Sequence, residues 1–580
     1  MTPPGTRLLS PATTTLRRAI GALAIVVMAL VALAGPASAH AALESTDPTT
    51  GSVLEQSPRQ ISLRFSEHVD IALGAIRLYD GTGHELDVGE AHHVGGDDTQ
   101  VAVSTDDLAN GAYVVSWRVV SADSHPVNGA FTFQVGTGDA VRDPGLVARL
   151  LSEEGGNPAA GALLGAGRFV SYAAMAVVVG GLAFLVVVWP AGRRRRRIRL
   201  LLWTTLAAGV VGGAIAIAAQ APYASGRSLT GALKPNEWWQ VLETSSGRAW
   251  GLRVLLLAVA GGVLLLTIDR LRTWWWQLAG VAASVVLFVL VAAGGHGTTG
   301  RWAGLGLVAT VAHLAAMAVW LGGLVVLVVG VLREPDPNAA LDRTRRFSAI
   351  AFGAVAVIVV SGVVQAYRQV GAIDALVDTE YGHLLLVKTA VVVVLVAVAW
   401  WSRRLLYRAP VTPAPAMAVG AAVLDDPVAA APRVVAVRRR MRLTVSAEVA
   451  LAAVVLAVTS LLVASSPAFT EAAKPFNATI RQGQRLASIA VDPATTGRNT
   501  VHIYISTPGG ALDKADEITV RMTLPERDLG PIPVPVVVAG PNHVTTDNLQ
   551  IPYKGTWQME VFARFGEFEQ VRFASDFTVR

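Results

Sequence analysis

The stretch Ala37-Ser38-Ala39-His40 decides the topology of the chain. It follows a basic segment and an apolar run over residues 19–33, and this combination is typical of a secretory signal peptide with a small-residue cleavage site. Residues 1–39 are therefore predicted to be removed on export, which leaves His40 as the first mature residue. Its free α-amine and imidazole then offer a metal ion two nitrogens, because that amine loses its proton near neutral pH. In the alternative, an uncleaved anchor, His40 is an ordinary residue near a membrane surface.

Composition places the chain among membrane proteins. Of its 580 residues 52% are hydrophobic and 16% are charged, and the mean hydropathy is +0.48, which indicates a polytopic membrane protein. The chain has no cysteine, and this excludes disulfides, thiolate metal sites and cysteine nucleophiles. The net charge of +6 comes largely from basic runs between apolar segments, which indicates topology signals and no nucleic-acid partner.

Residues 40–137 predict an all-β sandwich or barrel, because short alternating segments are separated by turn residues. Asp123 and His125 lie two positions apart, and on an extended backbone such residues point to the same side. With the two nitrogens of His40 they offer three nitrogens and one oxygen, a set that suits tetragonal Cu(II). Alone, the Asp-x-His pattern is also typical of a surface turn.

This segment resembles CopC, an exported copper-binding β protein. The resemblance implies that His40, Asp123 and His125 bind Cu(II), which is the expected cofactor. His68 stands where family members often have proline, and it is predicted to be an auxiliary ligand. No methionine lies between His40 and Gly138, so a thioether Cu(I) site is not expected in this domain. The stretches that carry the resemblance are His40-Ala41, Asp47-Pro48, Leu63-Arg64-Phe65-Ser66-Glu67, Asp123-Ser124-His125-Pro126-Val127-Asn128-Gly129 and Phe131-Thr132-Phe133.

After a predicted linker over residues 138–162, about eight apolar runs of roughly 20 residues predict a transmembrane bundle over residues 163–466. If the first domain lies outside, the arginine clusters fall in the inside loops, as the positive-inside rule requires. The prediction is a multi-pass protein of the cell (plasma) membrane, in contact with the lipid bilayer, with both mature termini extracytoplasmic. The fourth inside loop, residues 403–442, contains a stretch from Arg408 to Arg433 that is rich in Ala, Pro and Val and is predicted to be a flexible connector.

The membrane region resembles CopD, the partner of CopC in copper handling. The motif over residues 313–324, H-x-x-A-x-x-x-W-x-G-G-L, carries most of the resemblance. Further support comes from Arg346-Phe347-Ser348, Ser361-Gly362, residues 381–388 and Glu448.

Ionisable residues inside a bilayer are costly and usually functional, which marks His313, Lys388 and Glu448 as candidates. His313 and Met317 are four residues apart, so they share a helix face and offer an imidazole and a thioether to copper. For Met317 packing is an equal alternative.

His296 and His383, at the outer ends of two helices, complete a predicted copper path with His313 and Met317. The alternatives are snorkelling for Lys388 and a pairing with Arg440 or Arg442 for Glu448. Arg168 and Tyr172, early in the first membrane helix, receive no role.

Residues 471–580 predict a C-terminal all-β, immunoglobulin-like sandwich, similar to the extracytoplasmic tail domain of some fused CopC–CopD proteins. Its His502 and His543 are predicted to be isolated from other ligands, and each is expected to have an ordinary surface or core role. An exported copper chaperone is a candidate partner for this domain.

The sequence as a whole predicts a multidomain copper-binding membrane protein that captures Cu(II) outside and passes copper into or across the membrane. It is not expected to be an enzyme. The alternatives are a receptor that sequesters copper for resistance without transport, and a membrane copper redox enzyme. A haem enzyme would need two deep axial histidines, and His313 is the only deep one.

Overall fold

A computed structural model gives the fold of most of the chain. It describes residues 41, 43–48, 52–65, 67–121, 126–136, 157–226, 228–294, 302–370, 373, 375–408, 427–463, 465, 476–492, 494–506, 515–540 and 543–579. His40, Asp123, His125 and His296 lie outside these residues.

The first domain is a two-sheet β-sandwich, as predicted. One sheet has the order β1-β3-β7-β6 and the other β2-β9-β8-β4-β5. Alternate residues of β3 point inward, and Phe65 meets Trp117 edge to face in the core with ring centres 5.3 Å apart. The strands are β1 Leu43–Asp47, β2 Val53–Leu54, β3 Gln60–Phe65, β4 Val69–Asp80, β5 Glu85–Leu86, β6 His92–Val94, β7 Asp97–Ser104, β8 Gly111–Ser121 and β9 Pro126–Val135.

The middle of the chain is helical, and within the described residues eight helices are long and apolar enough to cross a membrane. This confirms the predicted polytopic bundle. The helices are α1 Pro158–Val187, α2 Arg196–Ser225, α3 Pro235–Glu243, α4 Ser245–Leu266, α5 Trp274–Ala293, α6 Ala303–Val329, α7 Pro337–Val370, α8 Ala375–Asp378, α9 Glu380–Tyr407 and α10 Pro427–Leu462. The two short ones, α3 and α8, are not spans.

Two helix boundaries differ from the sequence prediction. Helix α1 begins at Pro158, inside the expected linker, because Asn157 caps it by accepting hydrogen bonds from the backbone N–H groups of Ala159 and Ala160. Helix α10 begins at Pro427, inside the segment expected to be flexible. Proline is tolerated in a first helical turn, and alanine and arginine favour the helix that follows.

Glycines of the 313–324 motif allow α6 to pack closely on its neighbours. A Cβ on Gly322 would lie 2.5 Å from the carbonyl oxygen of Ala176 in α1, and one on Gly323 would lie 2.2 Å from the ring of Phe347 in α7. Small residues permit such close helix crossings in membranes. The two glycines of the motif therefore serve packing, and they hold α6 at the centre of the bundle.

The first domain contacts one end of the bundle through β8. Arg118 donates hydrogen bonds from Nε to the carbonyl oxygen of Ala224 and from Nη2 to that of Tyr223, the latter at 3.1 Å. Val120 packs in a small buried cluster with Ala221, Ala224 and Val241. The end of β8 is thereby seated on the C-terminal end of α2.

The last domain is also a two-sheet sandwich. Its sheets have the orders β10-β11-β12-β16-β15 and β14-β13-β17-β18, and they enclose a core centred on the fully buried Trp557. The strands are β10 Phe476–Gln482, β11 Arg485–Asp492, β12 Gly497–Ser506, β13 Glu517–Leu524, β14 Leu529–Val534, β15 Val537–Gly540, β16 His543–Ile551, β17 Gly555–Phe565 and β18 Glu569–Val579.

Candidate metal centres

The predicted Cu(II) ligands of the first domain lie outside the residues that the structure describes, but two of them are next to described strands. Asp123 and His125 belong to the connection between β8 and β9, whose last paired residues are Val120 and Pro126. Val69 at the start of β4 pairs with Ser121 on the other side of β8. Three neighbouring strands therefore hold the two ends of the short segment in which both ligands lie. The ligation itself stays a prediction.

Glu67 is a residue to which the sequence assigned no role. It lies two residues before Val69, the first residue of β4, and only 8% of it is exposed. A buried carboxylate is costly unless it is compensated by hydrogen bonds, positive charge or a metal ion. Because Val69 pairs with Ser121, Glu67 precedes the strand end nearest to the segment of Asp123 and His125. The stretch around Glu67 was one of those that carried the resemblance to CopC.

His68, the predicted auxiliary ligand, lies between two carboxylates. Its Nε2 is 3.5 Å from Oδ1 of Asp70, and its Nδ1 is 3.4 Å from Oδ2 of Asp98. The hydrogen bond with Asp70 is the main cause of a raised pKa for His68, which desolvation partly opposes. Both ring nitrogens therefore face acidic groups, and the ring would have to turn before it could bind copper. Its role as an auxiliary ligand stays a prediction.

In the helical bundle His313 of α6 contacts Ser361 of α7. The distance from its Nδ1 to Oγ of Ser361 is 3.0 Å, and the Ser361 hydroxyl itself donates to the carbonyl oxygen of Val357. Because a hydroxyl has one proton, Ser361 accepts from Nδ1–H of His313. This leaves the lone pair of His313 on Nε2. Histidines that bind metals are commonly held in this way by a partner of the other ring nitrogen.

For the other described residues of the predicted path the structure gives burial and packing but no hydrogen-bond partner comparable to that of His313. Met317 is half-buried and packs against the helical core, one turn from His313. Lys388 of α9 is near enough for its charge to act on His313. His383 is exposed, and it precedes Lys388 by about 8 Å along α9 at the helical rise. The path remains a prediction, with His313 as its best-defined residue.

Glu448 in α10 is 4% exposed, and no salt bridge joins it to an arginine within the described part of the chain. Arg440 and Arg442 are exposed on the same helix. The alternative in which Glu448 pairs with one of them is therefore wrong for this structure. The side chain of Glu448 is buried in the bundle, where it contacts Ser402 of α9.

Family models match three segments of the chain. The CopC domain model matches residues 43–136, the model of the copper resistance protein D-like N-terminal domain matches residues 159–305, and the copper resistance protein D model matches residues 341–462. Copper resistance protein C of Pseudomonas syringae pv. tomato is 36% identical over 105 residues, which cover 17% of this chain and 82% of that protein. The chain joins the CopC and CopD families.

One relative aligns with this CopC–CopD chain over nearly the whole length of both proteins. The copper transport protein CutJ of Bacillus subtilis (strain 168) is 24% identical over 583 residues, which cover 94% of this chain and 97% of CutJ. Among solved structures, the crystal structure of CopC from Methylosinus trichosporium OB3b shows 31% identity over 17% of this chain and 93% of its own, with a TM-score of 0.16. The family models and CutJ assign the chain to the copper transport and resistance proteins, and its eight apolar helices make it a membrane protein.

The tail domain of this CopC–CopD chain contains a histidine pair that the sequence did not reveal. Nδ1 of His502 lies 3.0 Å from Nε2 of His543, and the ring of Tyr504 stacks on His543 with centres 4.1 Å apart. The two histidines were expected to be isolated, and this was wrong; an ordinary surface or core role for each stays a prediction. Antiparallel pairing of β12 with β16 sets Tyr504 opposite His543 and brings His502 diagonally next to it.

The histidine pair predicts acid sensitivity of the tail domain. Desolvation, and then the charge of His502, lower the pKa of His543 to about 4, whereas the unfolded value is about 6.5. Between these values the unfolded state binds a proton that the folded state does not, so stability is full above pH 6.5 and falls toward pH 4. After allowance for solvent screening of this half-buried group, we expect a loss of about 1 kcal/mol between pH 7 and pH 5.

Hydrogen exchange of the β16 amides in the full-length protein, corrected for intrinsic rates, would measure this loss. The His543→Gln variant should show a flatter pH dependence than the wild type. An equally steep dependence in that variant would show that another group is responsible.

Proposed function

We propose that this chain captures Cu(II) outside the membrane with His40, Asp123 and His125 and passes copper inward through His313. The supporting observation is the seat of β8 on the bundle. Arg118 and Val120 of β8 contact the end of α2, and β8 ends at Ser121, two residues before Asp123. The predicted capture site thus follows directly on the strand that joins the first domain to the membrane helices.

The arginine-rich loops support the membrane orientation that this proposal requires. They lie between α1 and α2, between α4 and α5, and between α6 and α7, and ion pairs connect them. Arg195 contacts Glu334 at 2.8 Å and Arg199 contacts Asp269 at 2.9 Å. Helix polarity places these loops at the end opposite to the seat of the first domain. By the positive-inside rule that end is cytoplasmic, and the Cu(II) domain is then extracytoplasmic.

The contacts of His313 support its role as a copper ligand within the bundle. Its Nδ1–H is held by Ser361, so the other nitrogen is the one that can bind a metal ion. Met317, one turn further along α6, offers a softer ligand that favours Cu(I).

The contact of Arg118 gives a prediction of its own. In Arg118→Met the charged hydrogen bonds to the end of α2 are lost, and such bonds contribute about 1.5 to 3 kcal/mol each. Uptake of copper should fall about tenfold or more, which corresponds to about 1.4 kcal/mol, while the Cu(II) affinity stays unchanged. Arg77→Met, which removes a partly exposed arginine of the same domain, is the matched control. Unchanged uptake in Arg118→Met would contradict a role for this contact in transfer.

Copper uptake tests the function as a whole. Purified full-length protein would be reconstituted right side out in liposomes, and uptake would be measured with Cu(II) alone and with Cu(II) plus a reductant. Uptake above that of empty liposomes supports transport, and the comparison gives the valence that crosses. Tight Cu(II) binding without any uptake would replace the proposal with copper sequestration.

A further inference from the structure

Two buried arginines of the bundle surround one tryptophan below the seat of the first domain. Arg168 of α1 is 6% exposed and Arg253 of α4 is 5% exposed. Their guanidinium carbons lie 5.9 Å and 4.4 Å from the ring centre of Trp250. Both helices begin at the end of the bundle that carries the first domain, and the two arginines lie roughly two to three turns inside it, about 12 to 15 Å along each helix.

Neither arginine has an acidic partner in the part of the chain that the structure describes. Arg253 donates from Nε to the carbonyl oxygen of Leu290 at 2.9 Å and also contacts the hydroxyl of Tyr172, a neutral acceptor, but its Nη2 is buried without an acceptor. Nε of Arg168 is buried without an acceptor as well. Gln220 of α2, next to the Ala219 that packs with Trp250, is 3% exposed and has a buried amide nitrogen without an acceptor. The surplus groups are thus all hydrogen-bond donors.

Two neighbouring buried cations without a counter-charge are strongly disfavoured. The face of Trp250 offsets a part of this cost by cation–π interaction, but it satisfies no N–H group. Charged residues inside a membrane bundle are normally paired or serve a ligand. An anion from outside the chain would supply both the missing charge and the missing acceptors.

We propose that Arg168 and Arg253 bind a phosphate group between α1 and α4. Guanidinium groups bind oxyanions in a forked, bidentate way, which favours an oxyanion over a simple halide. The donors come from different helices and from several directions, and a tetrahedral phosphate presents oxygens in as many directions. The phosphate can belong to a phospholipid headgroup or come from solution. Since two guanidinium groups repel a copper ion, this site lies off the copper path and does not depend on the proposed transport.

The test measures thermal unfolding of the full-length protein in a neutral detergent, free of phosphate. Inorganic phosphate is titrated at constant ionic strength against chloride, and in a second arm phosphatidylglycerol is titrated against a neutral glycolipid that has no phosphate. We expect the unfolding temperature of the wild type to rise in one of the two arms. The rise should be absent in Arg168→Met and in Arg253→Met and retained in Arg442→Met, which removes an exposed arginine of α10.

A rise with inorganic phosphate identifies a soluble ligand, and a rise with the anionic lipid alone identifies a headgroup; either supports the proposal. If the methionine variants fail to fold, Arg168→Lys and Arg253→Lys keep the charge but lose the fork, and they should show a smaller rise. No rise of the wild type in either arm would overturn the proposal, whatever the variants do. An equal rise in the wild type and in both methionine variants would overturn it as well.

Discussion

Replacing His125 by alanine is expected to weaken Cu(II) binding by more than 100-fold. The proposed Cu(II) site has three nitrogen ligands and one oxygen ligand. Loss of a residue that hydrogen-bonds to a ligand lowers metal affinity about 10- to 100-fold, so loss of a ligand itself should lower it further. The fold should tolerate the change, because Val120 and Pro126 remain paired on either side of the short β8–β9 connection. Titration of the full-length protein against a Cu(II) chelator of known affinity measures the effect.

The matched control for this variant is His92→Ala. His92 is an exposed histidine of β6 in the same domain, and its removal should leave the Cu(II) affinity unchanged. A second variant with one extra residue before His40 should also lose affinity, because the α-amine then moves away from the imidazole. Wild-type affinity in His125→Ala would contradict the capture site.

Ser361→Ala is expected to reduce copper uptake about 10- to 100-fold, although Ser361 is not itself a proposed copper ligand. Ser361 accepts from Nδ1–H of His313 and so keeps the lone pair on Nε2. Loss of such an outer partner typically costs this much in metal affinity or activity. Ser361→Thr retains the hydroxyl and should restore most of the uptake.

Ser284→Ala is the control for Ser361→Ala. Ser284 lies in α5, and its hydroxyl donates to the carbonyl oxygen of Gly280 at 2.7 Å, a comparable helix contact away from His313. Uptake rates of equal amounts of reconstituted protein give the comparison. If both serine variants lose uptake equally, the effect is one of helix stability, and the assignment of the His313 tautomer is wrong.

The architecture of this chain was open to prediction because its signals are local. A run of about 20 apolar residues indicates a span wherever it occurs, and all eight expected spans lie in helices of the structure. Alternation over β3 and β12 likewise indicated strands with one buried face. The boundaries at Asn157 and Pro427 were predicted less well, because capping and helix propensity compete with a composition that is typical of linkers.

The contacts between distant residues were not open to prediction. Ser361 is 48 residues from His313, and His502 is 41 residues from His543, so only helix packing and strand register bring them together. Arg118 appeared as one alternating residue of a strand, and nothing local shows that it reaches α2. Arg168 received no role, because a single arginine in an apolar run does not reveal a second one beside it.

The most direct test of the central claim follows one copper ion from the capture site inward. Full-length protein in right-side-out liposomes is loaded with one equivalent of isotopically labelled Cu(II), excess is removed, and reductant is added. We expect label to reach the lumen in the wild type and to stay bound outside in His313→Ala. Equal transfer in the two proteins would contradict a path through His313, and label that never leaves the first domain of the wild type would contradict transfer itself.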